Sequence, residues 1–77
     1  MAPEAVVGKV FGLRPGDVHD GTSNRTVPAW DSLGHVTLVL ELEAAYGVAL
    51  STTDALEMTD VASIKRVLQN RGVEWER

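Results

Sequence analysis

The sequence predicts an all-α protein, a small four-helix bundle of three main helices and one short helix, with a long loop between helices 1 and 2. Apolar residues recur at helical spacing in separate segments, and capping residues or glycines bound those segments. No segment alternates between apolar and polar residues for long enough to predict a strand. We expect 77 residues to form a single domain, 1–77, near the lower size limit for one hydrophobic core.

Proline and glycine bound the first helix and the loop that follows it. We predict the helix over Pro3–Leu13, because proline suits a first helical position and apolar residues share one face. These apolar residues are Val6, Val7, Val10 and Phe11. Arg14-Pro15-Gly16 ends the helix, and a long loop runs from Arg14 to Trp30. Loops of this length are often functional, and we expect Val18 and Val27 to pin it to the core.

Capping residues predict the second and third helices. The second is predicted over Ser32–Tyr46, with Asp31 as its N-cap and Gly47 as its C-terminal cap. A capping signal, Ser51-Thr52-Thr53-Asp54, then predicts a short third helix over Thr53–Met58.

The fourth helix is predicted over Val61–Asn70, capped by Thr59 or Asp60. Its apolar stripe consists of Val61, Ile64, Val67 and Leu68. The basic residues that we place toward its negative end are Lys65, Arg66 and Arg71. The tail Val73–Arg77 has no clear signal.

The second helix carries two apolar stripes on a wheel of about 100° per residue. The stripe that we assign to the core consists of Val39, Leu42 and Tyr46. The other begins beside Ser32 and consists of Leu33, Val36 and Leu40. Two interpretations of this second stripe stay open: a partly exposed apolar track next to the serine, or part of a wide surface that faces the core.

Composition excludes several classes of function. The chain has no cysteine, so thiol redox chemistry and thiolate zinc sites are absent. A net charge of -4 disfavours nucleic acid and anionic membranes as partners and favours basic partner proteins. His19 and His35 lack a metal-ligand spacing, so we expect both to be exposed polar residues and predict no metal site. The first residues lack the features of a signal peptide, and we expect a cytoplasmic, soluble protein.

Ser32 has three interpretations. It can be an ordinary helix-start serine. It can be a catalytic nucleophile, but that needs a base and an oxyanion site, and the chain has no G-x-S-x-G elbow. It can be a modified serine, because a phosphodiester at the first turn of a helix meets free N–H groups and the positive end of the dipole. The catalytic interpretation has the least support, and we predict no enzyme activity and no catalytic residue.

Longer motifs around Ser32 carry a family resemblance. The run Trp30-Asp31-Ser32-Leu33-Gly34-His35, followed by Val36-Thr37-Leu38-Val39-Leu40-Glu41-Leu42-Glu43, resembles the attachment motif and recognition helix of acyl carrier proteins. Gly47-Val48-Ala49-Leu50 and Asp60-Val61-Ala62-Ser63-Ile64 are similar to that family's links into its third and fourth helices. The resemblance covers essentially the whole chain and is more specific than Asp-Ser-Leu alone.

The resemblance implies a covalent cofactor and a set of partners. A phosphopantetheinyl transferase would attach 4′-phosphopantetheine from coenzyme A to Ser32, reading Asp31 and Leu33, and the arm would carry acyl groups as thioesters. Enzymes that load or process the acyl group, such as a ketosynthase, acyltransferase or acyl ligase, would dock on the second helix. Our candidate docking residues are Leu33, Val36, Leu40 and Glu41. We expect the carrier to be a monomer.

The chain also departs from the family pattern. Where primary-metabolism carriers usually have glycine two residues before the aspartate, this chain has Ala29 and then Trp30. Positions that are often acidic hold Gly34 and Thr37, so we expect docking to depend more on the apolar stripe than on charge. The motif is more similar to free-standing carriers of secondary metabolism, for polyketides or related acyl units.

Two alternatives to the acyl carrier remain open. The first is a peptidyl carrier loaded with an amino acid, which typically has a Gly-Gly-His/Asp-Ser motif that Ala29-Trp30-Asp31 does not match. The second is a small helical interaction module that is never modified, in which Ser32 only caps a helix.

Overall fold

The computed structural model describes residues 1–75, in which four α-helices and a short 3₁₀ helix, Pro15–Asp17, are present. The helices are α1, Pro3–Phe11; α2, Ser32–Tyr46; α3, Thr52–Glu57; and α4, Val61–Asn70. α1 packs against α2 and α4, and α3 packs against α4. Extended pairing in the described residues is limited to one isolated bridge between Ser23 and Asp60. The predicted all-α class, with three main helices and one short one, is confirmed.

The predicted end of the first helix is wrong by two residues. α1 ends at Phe11 instead of Leu13, because Gly12 takes a left-handed conformation with φ of 68°. The N–H groups of Gly12 and Leu13 both donate to the carbonyl oxygen of Gly8, which satisfies a free acceptor at the helix end. Glycine, which lacks a Cβ, adopts this conformation at little cost, so it ends the helix before the Arg14-Pro15-Gly16 run is reached.

The third helix begins and ends one residue earlier than predicted. It runs over Thr52–Glu57 instead of Thr53–Met58, because its N-cap is Ser51. The Ser51 hydroxyl accepts from the Asp54 N–H, and the Asp54 carboxylate accepts from the Ser51 N–H, each at 3.0 Å. The predicted capping signal is therefore a complete capping box.

The predicted bounds of the other two main helices are confirmed. α2 begins at Ser32 and ends at Tyr46, with Gly47 in a left-handed conformation at its end. α4 is capped by Asp60, not Thr59: the Asp60 carboxylate accepts from the Ser63 N–H at 2.7 Å. None of the described helices is long and apolar enough to cross a membrane.

Of the three basic residues predicted toward the negative end of α4, Arg71 lies there as the C-cap residue, whereas Lys65 and Arg66 lie in the middle of the helix. Lys65 lies in the second turn and donates to Glu4 and to Asp20, each at 2.7 Å. Arg71 follows the helix and contacts the Asp54 carboxylate of α3 at 2.7 Å. These ion pairs tie α4 to α1, to the long loop and to α3.

The hydrophobic core receives side chains from every main helix and from the loop. The whole predicted stripe of α4 is buried, and Val18 and Val27 pin the loop as expected. The core stripe predicted for α2 is only partly right: Leu42 is fully buried, whereas Val39 and Tyr46 are half-buried. Leu38, which was not on that stripe, is fully buried. Residues four apart share a helix face, so Leu38 and Leu42 define the direction that faces the core.

The long loop is fixed to the start of α4. The carbonyl oxygen of Asp20 accepts from the Ala62 N–H, and that of Thr22 accepts from the Val61 N–H. The loop then buries Trp30 directly ahead of α2. These contacts determine where Ser32 lies. Of the tail that carried no sequence signal, residues 76 and 77 lie outside the described residues.

Candidate functional site

Ser32 is an exposed side chain at the first position of α2. Asp31 caps the helix as predicted, because its carboxylate accepts from the Gly34 N–H at 2.8 Å. The first N–H groups of a helix have no carbonyl partner within that helix, and the dipole favours negative charge there. The Ser32 hydroxyl is therefore accessible to another protein and lies where a phosphate group is electrostatically tolerated.

An apolar surface continues from Ser32 along α2. The side chains of Leu33, Val36 and Leu40 are 77%, 55% and 60% exposed, and we call them the apolar track. Their exposure decides between the two interpretations of this stripe: it faces solvent and not the core. Glu41 is half-buried at the edge of the same helix, and its carboxylate lies 3.4 Å from Lys9 Nζ of α1. All four residues predicted to dock partners thus lie on α2. Three of them are exposed and apolar, whereas Glu41 is half-buried and close to Lys9.

A groove of about 510 Å³ opens on the other side of Ser32. Asp31, Ser32 and His35 line it on the α2 side, and Ala55 and Leu56 line it on the α3 side. Leu56 is itself an exposed large apolar residue. Ser32 therefore lies between two groups of apolar side chains, the apolar track on one side and Ala55 and Leu56 of α3 on the other.

The prediction that His35 is an exposed polar residue is wrong. The ring is half-buried, its Nδ1 accepts from Trp30 Nε1–H at 2.9 Å, and its Nε2 lies 2.7 Å from the Ala55 carbonyl oxygen. Because both ring nitrogens are engaged, His35 is not free to take the Ser32 proton as a general base. The other histidine, His19, is exposed as predicted, and its Nδ1 accepts from the Gly21 N–H.

Trp30 and His35 were missed because their roles depend on each other. Trp30 precedes the Asp31 cap, and His35 is the fourth helical residue, which is the spacing of a hydrophobic staple. The two rings are nearly parallel, with centroids 6.4 Å apart, and their hydrogen bond joins them edge to edge; Phe11 of α1 stacks on Trp30 at 5.2 Å. The staple spacing was the sequence signal available, but histidine is not an apolar residue and does not suggest a staple.

Gly34 is required by the close approach of the loop. A Cβ at this position would collide with the Ala29 carbonyl oxygen and lie 3.0 Å from the Phe11 ring. No side chain fits in this place, which explains physically why an acidic residue does not follow Leu33 here. The contact also fixes the loop against the first turn of α2, next to Ser32.

The groups whose pKa values are clearly displaced are elsewhere on the described molecule. Hydrogen bonds from the Ser63 side chain and backbone lower the pKa of Asp60. The Ser51 backbone N–H, followed by the Arg71 guanidinium, lowers the pKa of Asp54. Hydrogen bonds to Asp20 and Glu4 raise the pKa of Lys65. These groups maintain the fold around α4. Among residues 1–75, no three His, Asp or Glu side chains are grouped so as to hold a metal ion.

No protein-family model matches the chain, and no curated protein matches it at a significant level. The resemblance to acyl carrier proteins therefore stays a prediction, and function is argued from the site itself.

Proposed function

We propose that the chain is an acyl carrier protein in which Ser32 holds a 4′-phosphopantetheine arm. The arm carries acyl intermediates as thioesters between enzymes of a polyketide or fatty-acid-like pathway in the cytoplasm. One observation carries the proposal: the serine of the Trp-Asp-Ser-Leu-Gly-His motif is exposed at the first position of α2. The motif suggests the modification, and the exposure gives a modifying enzyme access to the hydroxyl.

The residues around Ser32 suit this group. Its phosphodiester would lie at the positive end of the α2 dipole, near the first-turn N–H groups. Asp31 adds negative charge nearby, but its carboxylate accepts a hydrogen bond from the Gly34 N–H, which offsets part of that cost. When attached, the arm supplies a thiol, which this chain lacks because it contains no cysteine.

The surfaces on both sides of Ser32 suit transient partners. The apolar track offers a phosphopantetheinyl transferase and the acyl-handling enzymes a contact that salt does not screen. Glu41 adds one carboxylate at its edge, already paired with Lys9. We therefore assign recognition by the transferase to Asp31 and Leu33, and docking of the acyl-handling enzymes mainly to Leu33, Val36 and Leu40.

Intact-protein mass tests the proposal. The chain is incubated with coenzyme A and each of several phosphopantetheinyl transferases, beside Ser32→Ala and Ser51→Ala. Ser51 is the matched control, because it is also an exposed serine at the start of a helix. We expect wild type and Ser51→Ala to gain one arm and Ser32→Ala to gain none while keeping its helical circular dichroism.

Two results would contradict the proposal. One is an arm on Ser32→Ala, which would place the modification on another residue. The other is no gain by the folded wild type with any transferase, which would leave a helical interaction module in which Ser32 only starts α2.

A further inference from the structure

His35 joins three segments through its two ring nitrogens. Trp30 Nε1–H, from the end of the loop, donates to Nδ1 at 2.9 Å. The Ala55 carbonyl oxygen, from α3, lies 2.7 Å from Nε2. We call this arrangement of Trp30, His35 and Ala55 the His35 clamp. It ties α3 to the start of α2 at the groove beside Ser32.

The two partners admit a single protonation state of the ring. An indole N–H can only donate, so Nδ1 must be an unprotonated acceptor. A carbonyl oxygen can only accept, so Nε2 must carry the proton. The clamp therefore requires the neutral Nε2–H tautomer. An imidazolium carries a proton on both nitrogens and would bring the Nδ1–H against the indole N–H, two donors with no acceptor between them.

Other contacts do not compensate for this conflict. Trp30 is 3% exposed, so water has little access to replace the lost partner of its indole N–H. The Trp30 and His35 ring centroids are 6.4 Å apart, beyond the roughly 6 Å over which a cation gains from a ring face. Phe11 of α1, which stacks on Trp30, is uncharged.

Charged groups near the clamp are few and already engaged. Among the described residues that line the groove, Asp31 is the titratable side chain besides His35, and it accepts from the Gly34 N–H. On α3, Asp54 precedes Ala55, but its carboxylate contacts Arg71 and the Ser51 N–H. Glu57 lies exposed at the end of that helix. An acidic medium that protonates imidazole thus breaks the bond to Trp30 without offering a substitute.

We propose that His35 is a positioning residue whose protonation releases Trp30, at the end of the loop, from the start of α2. With neutral His35 both bonds of the clamp are made. With the imidazolium the bond to Trp30 is lost, whereas Nε2–H still donates to the Ala55 carbonyl oxygen, so α3 stays bound to His35. Trp30 lines the groove beside Ser32, so movement of its indole ring changes the groove there. The proposal concerns the fold and holds whether or not Ser32 is modified.

Nuclear magnetic resonance of the unmodified full chain, recorded from about pH 8 down to about pH 5, tests the clamp. The signals followed are the His35 ring nitrogens, the Trp30 indole N–H and the Ala55 and Leu56 amides. We expect the indole signal to lose its hydrogen-bonded shift in step with His35, while the α3 amides change less, because Nε2–H still donates to the Ala55 carbonyl oxygen. The Trp75 indole is the internal reference, because Trp75 contacts Tyr46 and not the clamp, and its signal should stay constant.

Three variants sharpen the test. His35→Gln keeps one acceptor and one donor but does not gain a proton, so the response of the Trp30 indole should disappear. His19→Gln removes the other histidine, and Asp31→Asn removes the carboxylate at the groove; both should keep the response.

The proposal is overturned if the Trp30 indole signal stays unchanged down to about pH 5, whether or not His35 takes up a proton. That result needs only the wild type and stands even if a variant fails to fold. It is equally overturned if His35→Gln responds like wild type, or if His19→Gln or Asp31→Asn removes the response. In those cases another group drives the change.

Discussion

α2 is apolar on two faces, and the protein buries one of them. Leu38 and Leu42 are fully buried, whereas Leu33, Val36 and Leu40 are each more than half exposed. Burying one such side chain stabilises a protein by about 1.5–3 kcal/mol, so folding gains nothing from keeping three of them in solvent. The comparison indicates that the buried face supports the bundle, while the exposed face, which begins at Ser32, is free to contact other molecules.

Truncating one leucine on each face gives the largest expected contrast. Leu38→Ala should lower the free energy of unfolding by about 2–5 kcal/mol, because it leaves a cavity in a filled core. Leu40→Ala should change it by no more than about 0.5 kcal/mol, because that side chain is 60% exposed. Urea unfolding of both variants, followed by circular dichroism, measures the difference. Equal losses for the two variants would place Leu40 in the core and remove the distinction between the faces.

Adding one methyl group tests how the loop fixes the start of the exposed face. Gly34→Ala should destabilise the protein by about 1–3 kcal/mol, because the new Cβ collides with the Ala29 carbonyl oxygen. Gly16→Ala is the matched control: a Cβ there meets nothing within 4 Å, and its φ is not positive. Thermal unfolding of the pair should separate them clearly. A stable Gly34→Ala variant would mean that the loop does not hold Ser32 in place as described.

Acid should lower the free energy of unfolding by a smaller amount, through the cap of α4. The pKa of Asp60 is lowered from 3.8 by its hydrogen bonds to Ser63, so its ionised form stabilises the fold. This contribution is present above the unfolded pKa and is lost as pH falls through the lower, folded pKa. We expect the unfolding free energy to decrease on acidification below about pH 4, and to decrease less steeply in Asp60→Asn. An identical pH dependence in wild type and variant would show that this cap does not contribute.

Capping residues and short apolar patterns in the sequence predicted most of the fold. Asp31, Ser51 and Asp60 cap their helices through their own side chains, so the starts of the helices follow from short stretches of sequence. The end of α1 was missed, because Gly12 ends it before the more conspicuous Arg14-Pro15-Gly16. The face of α2 that packs against the core was also only partly predicted. Apolar residues surround that helix, and only the packing of its neighbours selects Leu38.

The candidate site was predicted unevenly for a related reason. Ser32 and Asp31 depend on the start of one helix, and the sequence places both correctly. The His35 clamp needs a loop residue, an α2 residue and a backbone carbonyl of α3 at the same point. Such a contact between three segments leaves no periodic pattern. The steric need for Gly34 is hidden in the same way, because it depends on the Ala29 carbonyl approaching from the loop.

Locating the arm within the chain tests the central claim most directly. The chain is first reacted with coenzyme A and a phosphopantetheinyl transferase and is then digested with trypsin. The tryptic peptide that follows Arg25 and ends at Lys65 contains Ser32, Ser51 and Ser63. Fragmentation of that peptide assigns the arm to one of them. The account predicts one arm per chain, on Ser32. An arm on Ser51 or Ser63, or no arm on the folded chain with any transferase tried, would contradict it.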